Sequence, residues 1–255
     1  MTTNWIAFWT LTRKEVNRVI RIWTQTLVPS IFTSSLFILI FGYSLGSKIS
    51  NINGVTYLEF ILPGLVMMGV IMSAYTATSF SLYLQRFHRG IEELLLAPMS
   101  YWEIIGGLTL GALVRALIVG FGIIIVGLFL TPIGIFDVWI ITFFAIVTSL
   151  LFAFAGIVTA LWANNFDQMN VFSTFLITPL TYLGGIFYSI NMLPQPWNII
   201  AAFNPIMYMV DGFRYGFLGF SDVPLVHSIL VVSGLAIFFF LLCIHLFRKG
   251  YNLRS

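Results

Sequence analysis

The sequence predicts an all-α membrane protein with six transmembrane helices, on three observations. Of its 255 residues, 59% are hydrophobic and only 8% are charged, against roughly 25% charged in a soluble domain. A chain so poor in charge cannot coat a water-soluble globule, and it is neither disordered nor a coiled coil. Its apolar residues gather in stretches of about 20 or more, the length that crosses a bilayer core as a helix. Its Lys and Arg residues fall almost all on one side of those stretches, as in multi-pass membrane proteins. The single Cys243 leaves no disulfide framework and no cysteine-ligated metal site, and a net charge of +3 carries no nucleic-acid signature.

Residues 1–23 lack the apolar core and cleavage site of a signal peptide. Trp5, Trp9, Thr12, Val16, Val19 and Trp23 recur at alternating four- and three-residue steps, while Arg13, Lys14, Asn17, Arg18 and Arg21 take the other face. This pattern predicts an amphipathic helix lying at the membrane surface. The first span is expected over roughly 25–46 and the second over roughly 58–82.

Between spans two and three, residues 83–100 form a short elbow. Ile91, Leu94 and Leu95 share one helical face, Glu92 and Glu93 stand beside it, and Pro98 ends the helix. Arg86 and Arg89 precede it. Such a segment can lie along the membrane surface and dock into a groove of a soluble protein, or be a plain amphipathic loop.

The third span is expected over roughly 104–130. It carries Arg115, a charge that is costly at that depth. Arg115 is read either as a substrate-path or gating residue or as half of a structural pair with a carboxylate on another helix or a second copy. The spacing Gly107-x-x-x-Gly111 lets another helix approach closely, with its owner left open. The fourth span is expected over roughly 138–163. The fifth, roughly 170–190, is weaker because Pro179, Gly184 and Gly185 interrupt it.

Residues 191–222 are apolar yet broken by Pro194, Pro196, Pro205 and Gly212. Irregular backbone at membrane depth must be buried or line a cavity, which predicts short re-entrant or interfacial helices capping the outer side. Asp211 and Arg214 stand three apart on one helical face and can pair. The last span is expected over roughly 225–247.

Arg13, Lys14, Arg18, Arg21, Arg86, Arg89, Arg248, Lys249 and Arg254 fall on one predicted face, and Lys48 and Arg214 on the other. Both termini are therefore expected in the cytoplasm. No repeat or polar linker divides the chain, so residues 1–255 read as one membrane domain.

The sequence holds no phosphate-binding G-x-x-x-x-G-K-[ST] loop, H-E-x-x-H helix or G-x-S-x-G elbow, and His88, His227 and His245 lie on separate segments. No carboxylate is expected at mid-membrane, where an ion-coupled carrier would hold one. If the protein pumps, another chain supplies the work. An ion-coupled carrier acting alone, or a membrane enzyme acting on lipid or glycan, is the weaker reading.

The Gly184-Gly185 turn, Leu193-Pro194, Pro205-Ile206-Met207-Tyr208 and Arg214, with the elbow Ile91-Glu92-Glu93-Leu94-Leu95-Leu96-Ala97-Pro98, resemble the membrane subunit of ABC-2 type ABC transporters. That exporter family includes drug-resistance and nodulation-factor permeases, and within it the chain is similar to the YadH-like permeases. The resemblance covers essentially the whole chain. It implies a permease without ATPase activity of its own, in the bacterial inner membrane, paired with a second copy of itself and with two copies of a cytoplasmic ABC ATPase that binds ATP and Mg²⁺. It implies that residues 1–23 are a connecting helix and that Arg86, Arg89, Glu92, Glu93, Leu94 and Leu95 belong to a coupling elbow. It further implies that Gly184, Gly185, Pro194, Pro205, Tyr208 and Arg214 mark the outer hairpin, and that the cargo is a drug, a lipid-linked molecule or a polysaccharide. The aromatic, Met-rich spans suit a lipophilic or amphipathic cargo and equally suit ordinary lipid contact.

Overall fold

A computed structural model describes residues 4–44, 46, 51, 52 and 54–252; Lys48 and Arg254, counted above, lie outside them. The described chain is helical: α1 Trp5–Arg21, α2 Trp23–Thr26, α3 Val28–Ser44, α4 Tyr57–Phe87, α5 Gly90–Leu96, α6 Tyr101–Leu130 and α7 Val138–Trp162. Next, α8 Phe166–Val171 passes through a π turn, Phe172–Ile177, into α9 Thr178–Tyr182. A 3₁₀ turn at Ile190–Met192, α10 Trp197–Ala202, α11 Pro205–Leu218 and α12 Leu225–Lys249 complete it.

Among the described residues, five helices are long and apolar enough to cross a membrane: Trp23–Gly42, Tyr57–Phe87, Tyr101–Leu130, Val138–Trp162 and Leu225–Lys249. Side-chain caps set several of their starts. Thr56 and Glu59 form a reciprocal capping box on α4, and Asp137 accepts from Trp139 N at 2.8 Å on α7. Each satisfies backbone donors that a helix start leaves open.

The weak fifth stretch forms a continuous helical path, Phe166–Tyr182, shorter and earlier than the expected 170–190. Its π turn stands just before Pro179, which has no N–H to donate, and it ends before Gly184 and Gly185. At its start, Ala163 O meets the guanidinium of Arg86 near the end of α4. Just beyond its finish, Gly185 O meets Arg214, which also reaches Phe60 O near the start of α4. The path therefore runs from one end of α4 to the other. These are called the elbow end and the hairpin end below.

Helix α4 is the hub, buried nearly all round and packed most extensively on α7 and α6. Its apolar residues on every face fit that position. The α4–α7 contact is close because Gly156 lies against the α4 backbone, and Thr78 donates across it to Ala153 O at 2.8 Å.

Helix α1 is amphipathic as expected, but only Thr12 and Val19 of the expected stripe are buried. It buries Leu11, Thr12, Glu15 and Val19 and leaves Trp5 and Trp9 exposed, as α2 leaves Trp23. Leu11, Glu15 and Val19 recur at four-residue steps and lie along α6, whereas indole rings are stable at the lipid–water boundary and need no burial in protein. The Gly107-x-x-x-Gly111 spacing thereby finds its owner: a Cβ at Gly107 would meet Leu11, one at Gly111 would overlap Glu15, and one at the neighbouring Gly106 would meet Phe8. The close partner is α1 of the same chain. Gly111→Leu is expected to lift α1 from α6 at roughly 1–3 kcal/mol, read as faster proteolysis within residues 5–21. Unchanged protection would contradict this packing.

Candidate functional site

Three groups of residues have chemistry beyond packing. The first is the elbow. Arg89 adopts a left-handed backbone (φ 58°) that turns the chain from α4 into α5. Ile91 is buried, and Leu94 and Leu95 pack partly onto the bundle, as their shared face predicted. Arg89, Glu92 and Glu93 are exposed, and so are Phe87 and Leu96, the latter 85%. Arg86 turns inward: it donates to Leu161 O at 3.2 Å, Ala163 O at 3.0 Å and also Ala160 O. It thus caps the end of α7, where carbonyls are left open and a cation is favoured. Asn252 joins it by donating to Leu161 O at 3.1 Å. A polar recess of about 350 Å³ lies between Arg86, Arg89, Glu92, Asn164 and Asn252. The implied elbow residues therefore divide: Arg89, Glu92 and Glu93 face outward, while Arg86, Leu94 and Leu95 hold the elbow to the bundle.

The second group is a carboxylate missing from the sequence reading. Glu15 is buried and accepts from Arg18 Nη2 at 2.7 Å, Ser81 Oγ at 2.9 Å and Gln85 Nε2 at 3.3 Å. Arg18 also reaches Ala77 O at 3.3 Å. Separately, Glu103 accepts from Asn4 N at 2.7 Å and Ser100 N at 2.8 Å, joining the starts of α1 and α6. So α1 is tied to α4 and α6, and α4 leads directly into the elbow. The signal for Glu15 was present: it is a lone acid spaced three and four residues from Thr12 and Val19.

The third group is the hairpin, which carries Gly184, Gly185, Pro194, Pro205, Tyr208 and Arg214. Arg214 is only 2% exposed. It donates to Gly185 O at 2.6 Å and Phe60 O at 3.3 Å, stands 3.9 Å over the Phe60 ring, and lies 4.0 Å from Asp211. Gly185 has φ +74°, a conformation that favours glycine, and it aims that carbonyl. Asp211 accepts from Asp222 N at 2.9 Å and Val223 N at 3.1 Å. Burial pushes the Asp211 carboxyl up from its ordinary range, with those N–H groups and Arg214 pulling against the rise. Asp222 in turn accepts from Ser189 Oγ at 2.7 Å and Ile190 N at 3.0 Å. Tyr208 donates to Ala202 O at 2.9 Å, and Asn204 caps α11 ahead of Pro205. Pro194 stands in the loop after the 3₁₀ turn, and Trp197 N donates to its carbonyl at 2.9 Å. The Asp211–Arg214 pair is thus a buried lock across the hairpin rather than a solvated pair.

Residues 6–218 match the sequence model of the family described as ABC-2 type transporter. The chain belongs to the ABC-2 type transporter family. This ABC-2 chain is therefore a membrane permease component, a transport subunit and not itself an ATPase. It is 42% identical to the inner membrane transport permease YadH of Escherichia coli K12, over 98% of either chain. It is 27% identical to nodulation protein J of Rhizobium leguminosarum bv. viciae, over 85% of this chain and 83% of that one. With nodulation protein J of Rhizobium meliloti the identity is 28%, over 91% and 87%. The match spans the α1–α6 groove, the elbow and the hairpin lock. Between α7, the π turn, α11 and α12, this permease also holds an apolar cleft of about 510 Å³, lined in part by Tyr75, Phe152, Thr159, Trp162, Phe172 and Phe239.

Proposed function

We propose that this permease is the membrane half of an ABC exporter in the bacterial inner membrane. It crosses the bilayer six times, counting the Phe166–Tyr182 path, with both termini and the elbow in the cytoplasm. The bias of Arg13, Lys14, Arg18, Arg21, Arg89, Arg248 and Lys249 toward the elbow end supports that orientation. Two copies pair, and two copies of a separate ABC ATPase seat on the elbows and bind ATP and Mg²⁺.

The observation that carries this reading is the outward face of the elbow. Phe87, Arg89, Glu92, Glu93 and Leu96 are exposed together. A small amphipathic helix with apolar and charged groups on its outer face suits a groove on a soluble partner. The bonds of Arg86 to the end of α7 give a push on the elbow a route into the bundle. ATP-driven closure of the partner would press on both elbows, and the membrane halves would rock. The apolar cleft is in keeping with a lipophilic or amphipathic cargo.

Co-purification with the partner ATPase tests this. Glu92→Lys/Glu93→Lys is expected to weaken association at least about tenfold, the equivalent of roughly 1.4 kcal/mol. It should reduce permease-stimulated ATP turnover in step while leaving the thermal stability of the permease alone unchanged. Full association and full turnover in that variant would defeat the elbow assignment. Gradient-driven flux by the isolated chain in liposomes would favour the carrier reading instead.

A further inference from the structure

Arg115, read from the sequence either as a path or gating residue or as half of a structural pair, has no ion pair among the described residues. Its Nη2 makes one long contact, 3.4 Å to Thr26 O, and its Nε is buried without a partner. Among the described residues the ion pairs are Glu15–Arg18 and Asp211–Arg214, so no carboxylate lies within 4.0 Å of it. Glu15 meets α6 one turn away at Gly111, but Arg18, Ser81 and Gln85 hold its oxygens. A guanidinium with unused donors, partly out of water, is unstable unless an anion from outside the chain meets it.

The depth of the site says which anion. Helix α6 has 30 residues and is roughly 45 Å long, against a hydrocarbon core of about 30 Å. About ten residues must therefore lie outside the core. The elbow-end stretch Tyr101–Gly111, which holds part of that overhang, runs beside α1, whose exposed Arg13, Lys14 and Arg21 mark the polar layer. Arg115 stands one turn further in, roughly 6 Å, where α1 gives way to α2 and the exposed Trp23. An arginine at that depth reaches back to the headgroups, and Trp belongs to the same layer. The anion abundant there is a phosphodiester, whose oxygens the planar guanidinium fork matches.

We propose that Arg115, at the junction of α2 and α6, binds the phosphate of an anionic phospholipid. The orientation given above decides only that this is the inner leaflet; the test below does not depend on it.

Thermal unfolding of the purified chain in a neutral maltoside detergent tests the site, with added phosphatidylglycerol, phosphatidylcholine or inorganic phosphate. Phosphatidylglycerol is expected to raise the midpoint of the natural protein, and phosphatidylcholine and inorganic phosphate at equal concentration are not. Arg115→Gln should unfold at the same temperature as the natural protein or higher when no lipid is added, because it removes an unpaired charge. It should lose the rise with phosphatidylglycerol and retain about tenfold less of that lipid by native mass spectrometry, whereas Arg115→Lys should keep part of both. A lower lipid-free midpoint for Arg115→Gln would show an internal ion pair and overturn the proposal. Equal lipid retention in both proteins would overturn it, whether or not Arg115→Gln also loses its pairing with a second copy. An equal rise with inorganic phosphate would overturn the lipid as the source of the anion.

Discussion

Replacing Arg214 by alanine is expected to leave little folded protein, with a loss of roughly 3–5 kcal/mol, the range for breaking a buried charge pair from one side. The guanidinium connects three parts of the chain: Phe60 at the start of α4, Gly185 in the turn after α9, and Asp211 on its own helix. Its removal strands two buried carbonyls and leaves Asp211 with only the N–H groups of Asp222 and Val223. Arg214→Lys keeps the charge but has no planar fork to serve both carbonyls, so it should be intermediate. Size-exclusion profiles and thermal midpoints after solubilisation measure the effect. A midpoint for Arg214→Ala within a degree or two of the natural protein would refute the lock.

Gly156→Val is expected to have the next largest effect, at or above the upper end of the roughly 1–3 kcal/mol typical of overpacking. A Cβ there would stand 2.5 Å from Tyr75 O and 3.1 Å from Ser79 N. These are backbone atoms of α4, so relief requires the helices to separate rather than a side chain to rotate. The separation would also break the bond from Thr78 to Ala153 O. Gly234→Val on α12 is the control, since nothing lies within 4 Å of its added Cβ, and it should leave the midpoint nearly unchanged. Equal midpoints for the two variants would mean that α4 and α7 do not pack as described.

Both variants touch residues whose importance the sequence showed unequally. Arg214 sits in a recognisable order of Gly, Leu-Pro, Pro-x-x-Tyr and Arg, so its membership of a site was readable although its burial was not. Gly156 is one glycine among 21, with nothing in its neighbourhood to mark it. The elbow lies between them: its apolar face and its exposed Glu92 and Glu93 followed from periodicity, but the continuation of α4 to Phe87, inside the expected 83–100, and the inward turn of Arg86 did not. Glu15 went unread because an acid in a basic helix looks like part of the solvated face.

Composition, run length and the side on which Lys and Arg collect determined the class of this protein, its long apolar helices and the place of its elbow. Each is set by the exchange of a segment between water and lipid, a quantity summed along contiguous residues. Only the tertiary structure decided which charges are bonded to what. Ser81 meets Glu15 across 66 positions and Arg214 meets Phe60 across 154. The energy of a buried charge depends on the groups that surround it in space, and hydropathy along the chain carries no record of which distant segment brings them.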